Sequence, residues 1–579
     1  MHGALKAVTA LPVVAAGWVA SASALYCFGT GKMDLFRFPF GQWIQAAPYW
    51  KLNLTMTTAV IGSAAAPTLL LAVCGFGIVR HHWRNRRKLR RPFDGGLRPL
   101  EPGVTDNLGH AAFATPGQIA DRFSGPGCLI GAMDRSPGAL LIYDNTSVGP
   151  GHCMSFAGPG SDKTTSAVSR IWNWRGPRVV FDPSLEIGPI MADALRAEGC
   201  NVVSVGLNGS GLNALDWIDV THPEADAHIR SAVDWIYNEN ATSRSGADRA
   251  GDPFWGTWGR ALVACLLAHI LYHPDQTEPK TLVNLRRFIA VGEAVMPTLL
   301  RGIHHSSASS MARDLAGGLM DMEAGETFSG IYSNAFAATE WLSVGVYAAV
   351  VSGHAMRTAD ILNRNTVVFV QLPVRTLLAT PAVGRAVMGS LFNAMFHADG
   401  VGITDRILFE IDEAWLLDRL KEILLCHTTA RKYKGLVHTI WQSEGQLEEV
   451  WGKDGAKTMR DTVSWRSYNA ISDGDIAERL SRDLGEHSVL AYSEGDNTGQ
   501  SRPWGISLGS VSNGSNTNVH EIKRRLVKAD EIMRARADEM FVLARDFPHP
   551  IRCNTAPYYR YPQIAGRMQA NRFVPTAAE

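Results

Sequence analysis

Two long apolar runs stand near the start of the chain, at residues 7–28 and about 54–79, and neither contains a charged side chain. Each is long enough to cross a hydrocarbon layer about 30 Å thick as a helix, and Pro12 and Pro67 can kink such helices without forbidding them. Trp43, Tyr49 and Trp50 lie between the runs, residue types suited to a membrane interface. Residues 80–91 then carry seven Lys/Arg and no acid. Positive charge beside a span predicts two transmembrane helices with both ends in the cytoplasm and residues 30–51 outside. A cleaved signal peptide ending near Ala22-Ser23-Ala24 is the rival for the first run, opposed by an n-region with only Lys6 and by the second run close behind. The basic segment as a DNA-binding arm is the rival to a lipid-facing anchor.

The pattern then changes. Residues 92–138 are rich in Gly and Pro with little periodicity, which reads as a linker packing on the next domain. Short apolar, strand-like runs appear at 139–143, 154–156, 178–181 and 201–205, with helical patterns at 164–174 and 187–198. Such alternation predicts an α/β unit built on a parallel sheet with helices on its faces. From 215 to 345 the spacing is helical, with Trp255, Trp258, Ala261, Leu262, Cys265, Leu266 and Leu267 on one apolar face, so an all-α block inserted in the α/β unit is expected. The strand pattern returns at 366–372, 406–413 and 435–442, and weaker candidates come later at 464–471 and 540–544. The α/β unit is thus expected over 139–214 and 346–560, with a polar tail over 561–579.

Composition alters this picture little. At 579 residues the chain needs more than one folding unit. Lys plus Arg is 56 against 55 for Asp plus Glu, so any grip on nucleic acid must come from local patches. Eight cysteines without a C-x-x-C pair argue against a zinc or disulfide framework and for a reducing compartment.

The candidate chemistry starts at Gly158-Pro159-Gly160-Ser161-Asp162-Lys163-Thr164-Thr165, between a strand and a helix. A Gly-rich turn opening a helix aims backbone N–H groups and the positive end of the helix dipole at an anion. Lys163 adds a charge for the β/γ-phosphates, and the Thr164 hydroxyl a ligand for Mg²⁺. The strict pattern G-x-x-x-x-G-K-[ST] is broken, because Ala157 and Asp162 stand where glycine is expected. A carboxylate at 162 repels phosphate unless it points away or pairs with a cation; a loop with a solvated lysine is the plain alternative. The apolar run ending in Asp412-Glu413 supplies a second half: Asp412 for the Mg²⁺ shell, Glu413 to orient or deprotonate the attacking water. Simple helix capping by Asp412 competes with that role. Gln442 ends the next strand and either positions water or caps a helix. Arg431 either complements a helix dipole or reaches a neighbouring subunit's ATP. Asp182-Pro183-Ser184 is a sound helix start that also borders the ligand edge of a parallel sheet.

In order along the chain, two spans, the phosphate turn, Asp182-Pro183, a helical insertion, Leu408-Phe409-Glu410-Ile411-Asp412-Glu413 and Trp441-Gln442-Ser443-Glu444-Gly445-Gln446-Leu447 resemble the type IV coupling proteins, most closely the TraG proteins of rhizobial-type conjugative plasmids. Leu108 to Thr115, Asn213-Ala214-Leu215-Asp216, Glu326-Thr327-Phe328-Ser329-Gly330 and Ala430-Arg431-Lys432-Tyr433 add to the match, which covers roughly residues 5–560. The resemblance implies a RecA-like P-loop NTPase domain, a membrane-distal all-α domain and a homo-hexameric ring in the bacterial inner membrane. It also implies ATP and Mg²⁺ as cofactors, with single-stranded DNA, relaxase and relaxosome proteins, and type IV secretion channel components as partners. The broader family usually carries Gly-Lys in the turn and Asp-Pro-Lys-Gly after the next strand. Asp162-Lys163 and Asp182-Pro183-Ser184-Leu185 resemble the rhizobial branch instead. A receptor that docks substrates without hydrolysis, and an ATPase that delivers protein effectors, are the functional alternatives.

Overall fold

A computed structural model describes residues 108–133, 139–143, 151–208, 210–237, 253–275, 277–322, 326–403, 405–429, 432–500 and 511–573. Both expected spans, the basic segment 80–91 and Arg431 lie outside the described residues.

Thirteen strands are described: β1 Cys128–Ala132, β2 Leu140–Tyr143, β3 Cys153–Ala157, β4 Arg178–Phe181, β5 Asn201–Gly206, β6 Thr366–Gln371, β7 Ile407–Ile411, β8 Gly435–Trp441, β9 Trp465–Asn469, β10 Glu486–Gln500, β11 Val511–Arg525, β12 Glu539–Ala544 and β13 Ile551–Asn554. Eleven form one sheet in the order β2-β1-β13-β12-β9-β3-β8-β7-β4-β6-β5. From β9 to β5 every pairing is parallel. These strands are mostly buried on both faces; β3, β4, β7 and β8 have every residue buried. That is why they read as unbroken apolar runs in the sequence.

The expectation of a parallel sheet needs correction, because the sheet is mixed. β12 pairs antiparallel with β9 and β13, and β1 antiparallel with β13 and β2. Short connections join β1 to β2 and β12 to β13, and only antiparallel neighbours can be linked so tightly. The stretch 92–138 also supplies regular structure. Thr115-Pro116-Gly117-Gln118 is a capping box that starts the helix Pro116–Arg122: the Thr115 side chain accepts from the Gln118 N–H and the Gln118 side chain from the Thr115 N–H. β1 comes directly after it. Residues 561–573 are no free tail either. Tyr561 and Ile564 are buried with Ile187 and Ile190, and the Gln569 N–H donates to the Ile190 carbonyl at 3.0 Å.

Between β5 and β6 the described residues hold helices and no strand, the longest being Pro253–Leu271. Its apolar run is core: Leu262 through Ala268 are buried in one cluster with Val179, Val368 and Val370 of the sheet. The helices after β5 therefore share a hydrophobic core with the sheet. β10 and β11 form a separate two-stranded antiparallel ribbon.

Candidate active site

Parallel strands bring their C-terminal ends to one edge, and β3, β8 and β7 are neighbours. The phosphate turn leaves β3, Asp412-Glu413 leave β7 and Gln442 leaves β8, so three segments far apart in sequence meet at that edge.

The turn is held from below. A side chain at Gly158 would put its Cβ 2.5 Å from the Ala470 carbonyl oxygen, so the glycine serves close backbone approach. Gly160 takes the positive φ of +71°. Pro159 and Gly160 are exposed at the crest. Ser161 is buried and its Oγ donates to the Gly158 carbonyl at 2.5 Å, while Asn469 Nδ2 donates to the Ser161 carbonyl at 3.0 Å. The helix Lys163–Asn173 comes next, and Thr165 Oγ1 donates back to the Asp162 carbonyl at 3.1 Å.

Asp162 adopts the left-handed conformation, φ 59° and ψ 22°. A glycine enters that region freely, and aspartate is among the few residues that tolerate it. Its carboxylate turns toward the C-terminal segment. It accepts from Tyr559 Oη at 2.9 Å and Thr555 Oγ1 at 3.4 Å, with the Arg560 guanidinium at 3.7 Å. The repulsive carboxylate expected from the sequence is therefore a tie between the turn and the segment after β13. Asp162→Ala combines left-handed strain with loss of these contacts and is expected to cost about 1–2 kcal/mol. Asp162→Gly loses the contacts but relieves the strain and should cost less than half as much. Unfolding midpoints of the two variants check this order.

Lys163 Nζ forms an ion pair with Glu413 Oε1. Gln442 Nε2 lies 3.1 Å from both Glu413 carboxylate oxygens, and Trp415 Nε1 donates to Glu413 Oε2 at 3.0 Å. Glu413 itself has φ 50°, a left-handed turn that swings the chain out of β7. Thr164 Oγ1 donates to Asp412 Oδ2 at 3.4 Å. Asp412 is buried, and burial, then Glu413, push its carboxyl up to about 7 against the opposing pull of Lys163. The helix capping weighed for Asp412 amounts to one contact, the Glu413 N–H at 3.1 Å. Asp182-Pro183 does not itself start the helix, which runs Ile187–Ala197 with Glu186 as its N-cap; the Asp182 carboxylate reaches forward to accept from the Glu186 and Gly188 N–H groups at 3.1 and 2.9 Å.

The donor set suits a phosphate at the helix N-terminus and a hard divalent cation between Thr164 and Asp412, an oxygen pair of the kind Mg²⁺ takes. Sequence reasoning missed Trp415, Asn469, Thr555, Tyr559 and Arg560, and none carries a local motif.

The profile of the family described as "Type IV secretory system Conjugative DNA transfer" matches residues 114–579. The chain belongs to that family. It is 32% identical over 449 residues to a type IV secretion system-coupling protein VirD4 of Bartonella henselae, covering 76% of this chain and 67% of the relative. It is equally 32% identical over 449 residues to a conjugal transfer protein TraG of Agrobacterium fabrum, covering 76% and 65%. The matches thus span about two thirds of the relatives' length. Among solved structures, the plasmid coupling protein TrwB in complex with ADP and Mg²⁺ aligns with TM-score 0.53 at 16% identity, covering 80% of this chain and 98% of that one. TrwB with a non-hydrolysable ATP analogue aligns with TM-score 0.54 at 15% identity, covering 80% and 96%. This coupling-family chain therefore has the TrwB-like α/β fold.

Proposed function

We propose that this coupling-family chain is a membrane-anchored ATPase that links relaxase-bound DNA to a type IV secretion channel and drives single-stranded DNA through it. In this reading β3 to β9 and their helices are a RecA-like P-loop NTPase domain carrying the all-α insertion, the chain works as a homo-hexamer in the inner membrane, and residues 7–28 and 54–79 anchor it. A reporter fused after Arg91 should read out in the cytoplasm; an external signal contradicts that topology.

One observation carries the enzymatic reading: Lys163, Thr164, Asp412, Glu413 and Gln442 meet at the ends of three adjacent strands. Lys163 and the helix N–H groups hold the phosphates. Thr164 and Asp412 would hold Mg²⁺, which neutralises phosphate charge. Glu413 accepts the proton of the attacking water, and Gln442 and Trp415 fix its orientation when Lys163 turns to phosphate.

The raised Asp412 carboxyl gives a pH signature. A metal ligand must be ionised, so each pH unit below about 7 should weaken Mg²⁺ binding about tenfold, with a plateau above. The metal-free protein shows the opposite trend. A folded-state value above the unfolded one means the folded chain binds more protons, so this group's contribution to stability is lost as pH rises from its ordinary range to about 7. Magnesium titrations of nucleotide binding between pH 5.5 and 8.5 test the first statement.

ATPase assays of the full chain with and without single-stranded DNA test the function. Stimulation by single strands supports a DNA motor. Turnover indifferent to DNA but raised by a protein substrate selects effector delivery, and absence of turnover in the assembled protein selects the docking receptor.

A further inference from the structure

We propose that His222, Glu224, His228 and His397 form a zinc site that pins the start of the helix Ala225–Ile236 to the end of the helix Pro381–His397. Neither helix start nor helix end belongs to the nucleotide edge, and the cluster uses none of the residues placed there.

The three rings stand at the spacing a shared ion imposes. Three imidazoles bound tetrahedrally at Zn–N distances of about 2.0–2.1 Å place their ring centroids roughly 5.2 Å apart. Here the three centroid separations are 5.2 Å for His222–His228, 5.1 Å for His222–His397 and 5.6 Å for His228–His397. The ligand atoms of His222, Glu224 and His228 all lie within 4.8 Å of one another, close enough for side-chain rotation to bring them onto one centre; His397 is outside that group of ligand atoms and must turn its exposed ring inward to join it. Glu224 supplies the fourth donor, and three imidazoles with one carboxylate make a closed set suited to a structural zinc.

A further observation points to a ligand. His228 Nδ1 is buried and has no hydrogen-bond partner among the described residues, a costly state that a metal bond or a water resolves. The surroundings fit as well. His397 closes the last turn of its helix, where the dipole favours a cation. His222 Nδ1 accepts the Glu224 N–H at 3.1 Å, which leaves Nε2 for the metal; binding there moves the ring proton to Nδ1 and gives up that contact. Asp219 is nearby, its Oδ1 accepting from the Thr221 N–H at 2.8 Å and Thr221 Oγ1 at 2.7 Å. His222 and His228 are half-buried while Glu224 and His397 are exposed, so an ion can enter from solvent.

The site joins two parts of the fold. Ala225–Ile236 is the first helix after β5, and Pro381–His397 is the helix immediately before β7, the strand that delivers Asp412 and Glu413. A bound ion would cross-link them and stabilise the folded chain by mass action.

The test uses the untagged full chain in detergent, stripped with EDTA and titrated with Zn²⁺ alone against a chromophoric chelator. About one zinc per chain should bind in the micromolar range or tighter, the thermal midpoint should rise with free zinc, and X-ray absorption should report an imidazole-rich shell. His222→Gln with His397→Gln, both at solvent-reachable positions, should abolish that zinc and its thermal shift. Glu224→Gln should weaken binding without abolishing it. Far-UV circular dichroism and the zinc-free midpoint of each variant establish that it is folded. Equal zinc uptake by wild type and the double variant overturns the proposal, as does a wild-type chain that gives up all its zinc to the chelator.

Discussion

Glu413→Gln is expected to lower ATP turnover by about 10²–10⁴-fold while leaving nucleotide binding intact. The amide has the size of the carboxylate but cannot take a proton from water. It also cannot pair with Lys163, which in the wild type is held by Glu413 itself. Freed from that partner, Lys163 is available to phosphate, so affinity for ATP should hold or rise as the rate falls. Phosphate release at saturating ATP measures the rate, and equilibrium binding of a fluorescent analogue measures the affinity. Unchanged turnover would move water activation to another group, while a parallel loss of binding would make Glu413 a scaffold for Lys163 and not a base.

Glu410→Ala is expected to destabilise the chain by about 3–5 kcal/mol. Glu410 is fully buried in β7 between Arg170, at 2.6 Å, and His438 Nδ1, at 2.9 Å. Burial alone would push its carboxyl up; Arg170 and then His438 outweigh burial and hold it below its ordinary value. The chain of contacts continues from His438 Nε2 to Ser155 Oγ and on to Ser467 Oγ, each 2.9 Å, so it crosses β7, β8, β3 and β9. Removing the carboxylate strands the Arg170 guanidinium in the core, with the Leu129 carbonyl at 2.8 Å as its one remaining acceptor among the described residues. Replacing both partners, Arg170→Met with Glu410→Leu, should recover part of the loss, because a well-packed apolar pair avoids the uncompensated charge. Unfolding midpoints of the three proteins decide this. A folded-state value below the unfolded one also means that the stabilisation is present above the ordinary carboxylate range and fades as the solution becomes more acid.

Glu410 illustrates which parts of the site were legible in the sequence. The apolar runs around it announced β7, and the acids after it announced the site, because a parallel strand buried on both faces has little choice of residues. Once β3, β7 and β8 are parallel neighbours, Lys163, Asp412, Glu413 and Gln442 must share an edge, so a linear order of motifs sufficed to assemble them. The charge inside the strand has no local explanation, however, because its partner Arg170 is set back on another element and nothing near Glu410 in the sequence points to it. Asp162 presents the same difficulty. Its partners Thr555, Tyr559 and Arg560 lie almost four hundred positions away, and the sequence offered only the conflict with phosphate, not its resolution.

The fold divides in a similar way. Strands with continuous apolar character were visible, whereas β1 and β13 were not. The first is Cys-Leu-Ile-Gly-Ala in a stretch dominated by Gly and Pro; the second is only four residues long. The ribbon of β10 and β11 is mostly polar, without the alternation that marks a half-buried strand, and its long pairing comes from the backbone. The mixed sheet was hidden because antiparallel edges depend on short connections, and the Gly/Pro-rich segments that make them read equally well as linkers.

Whether a turn that departs from the phosphate-binding pattern at two positions is still an ATP site is decided most directly by equilibrium binding of a fluorescent ATP analogue with Mg²⁺ to the wild type and to Lys163→Ala. The wild type should bind saturably, and removing the lysine should weaken binding at least about tenfold, the value of a charge contributing roughly 1.4 kcal/mol. Equal affinity in the two proteins, or no binding by a folded wild type, would contradict an ATP site at this turn.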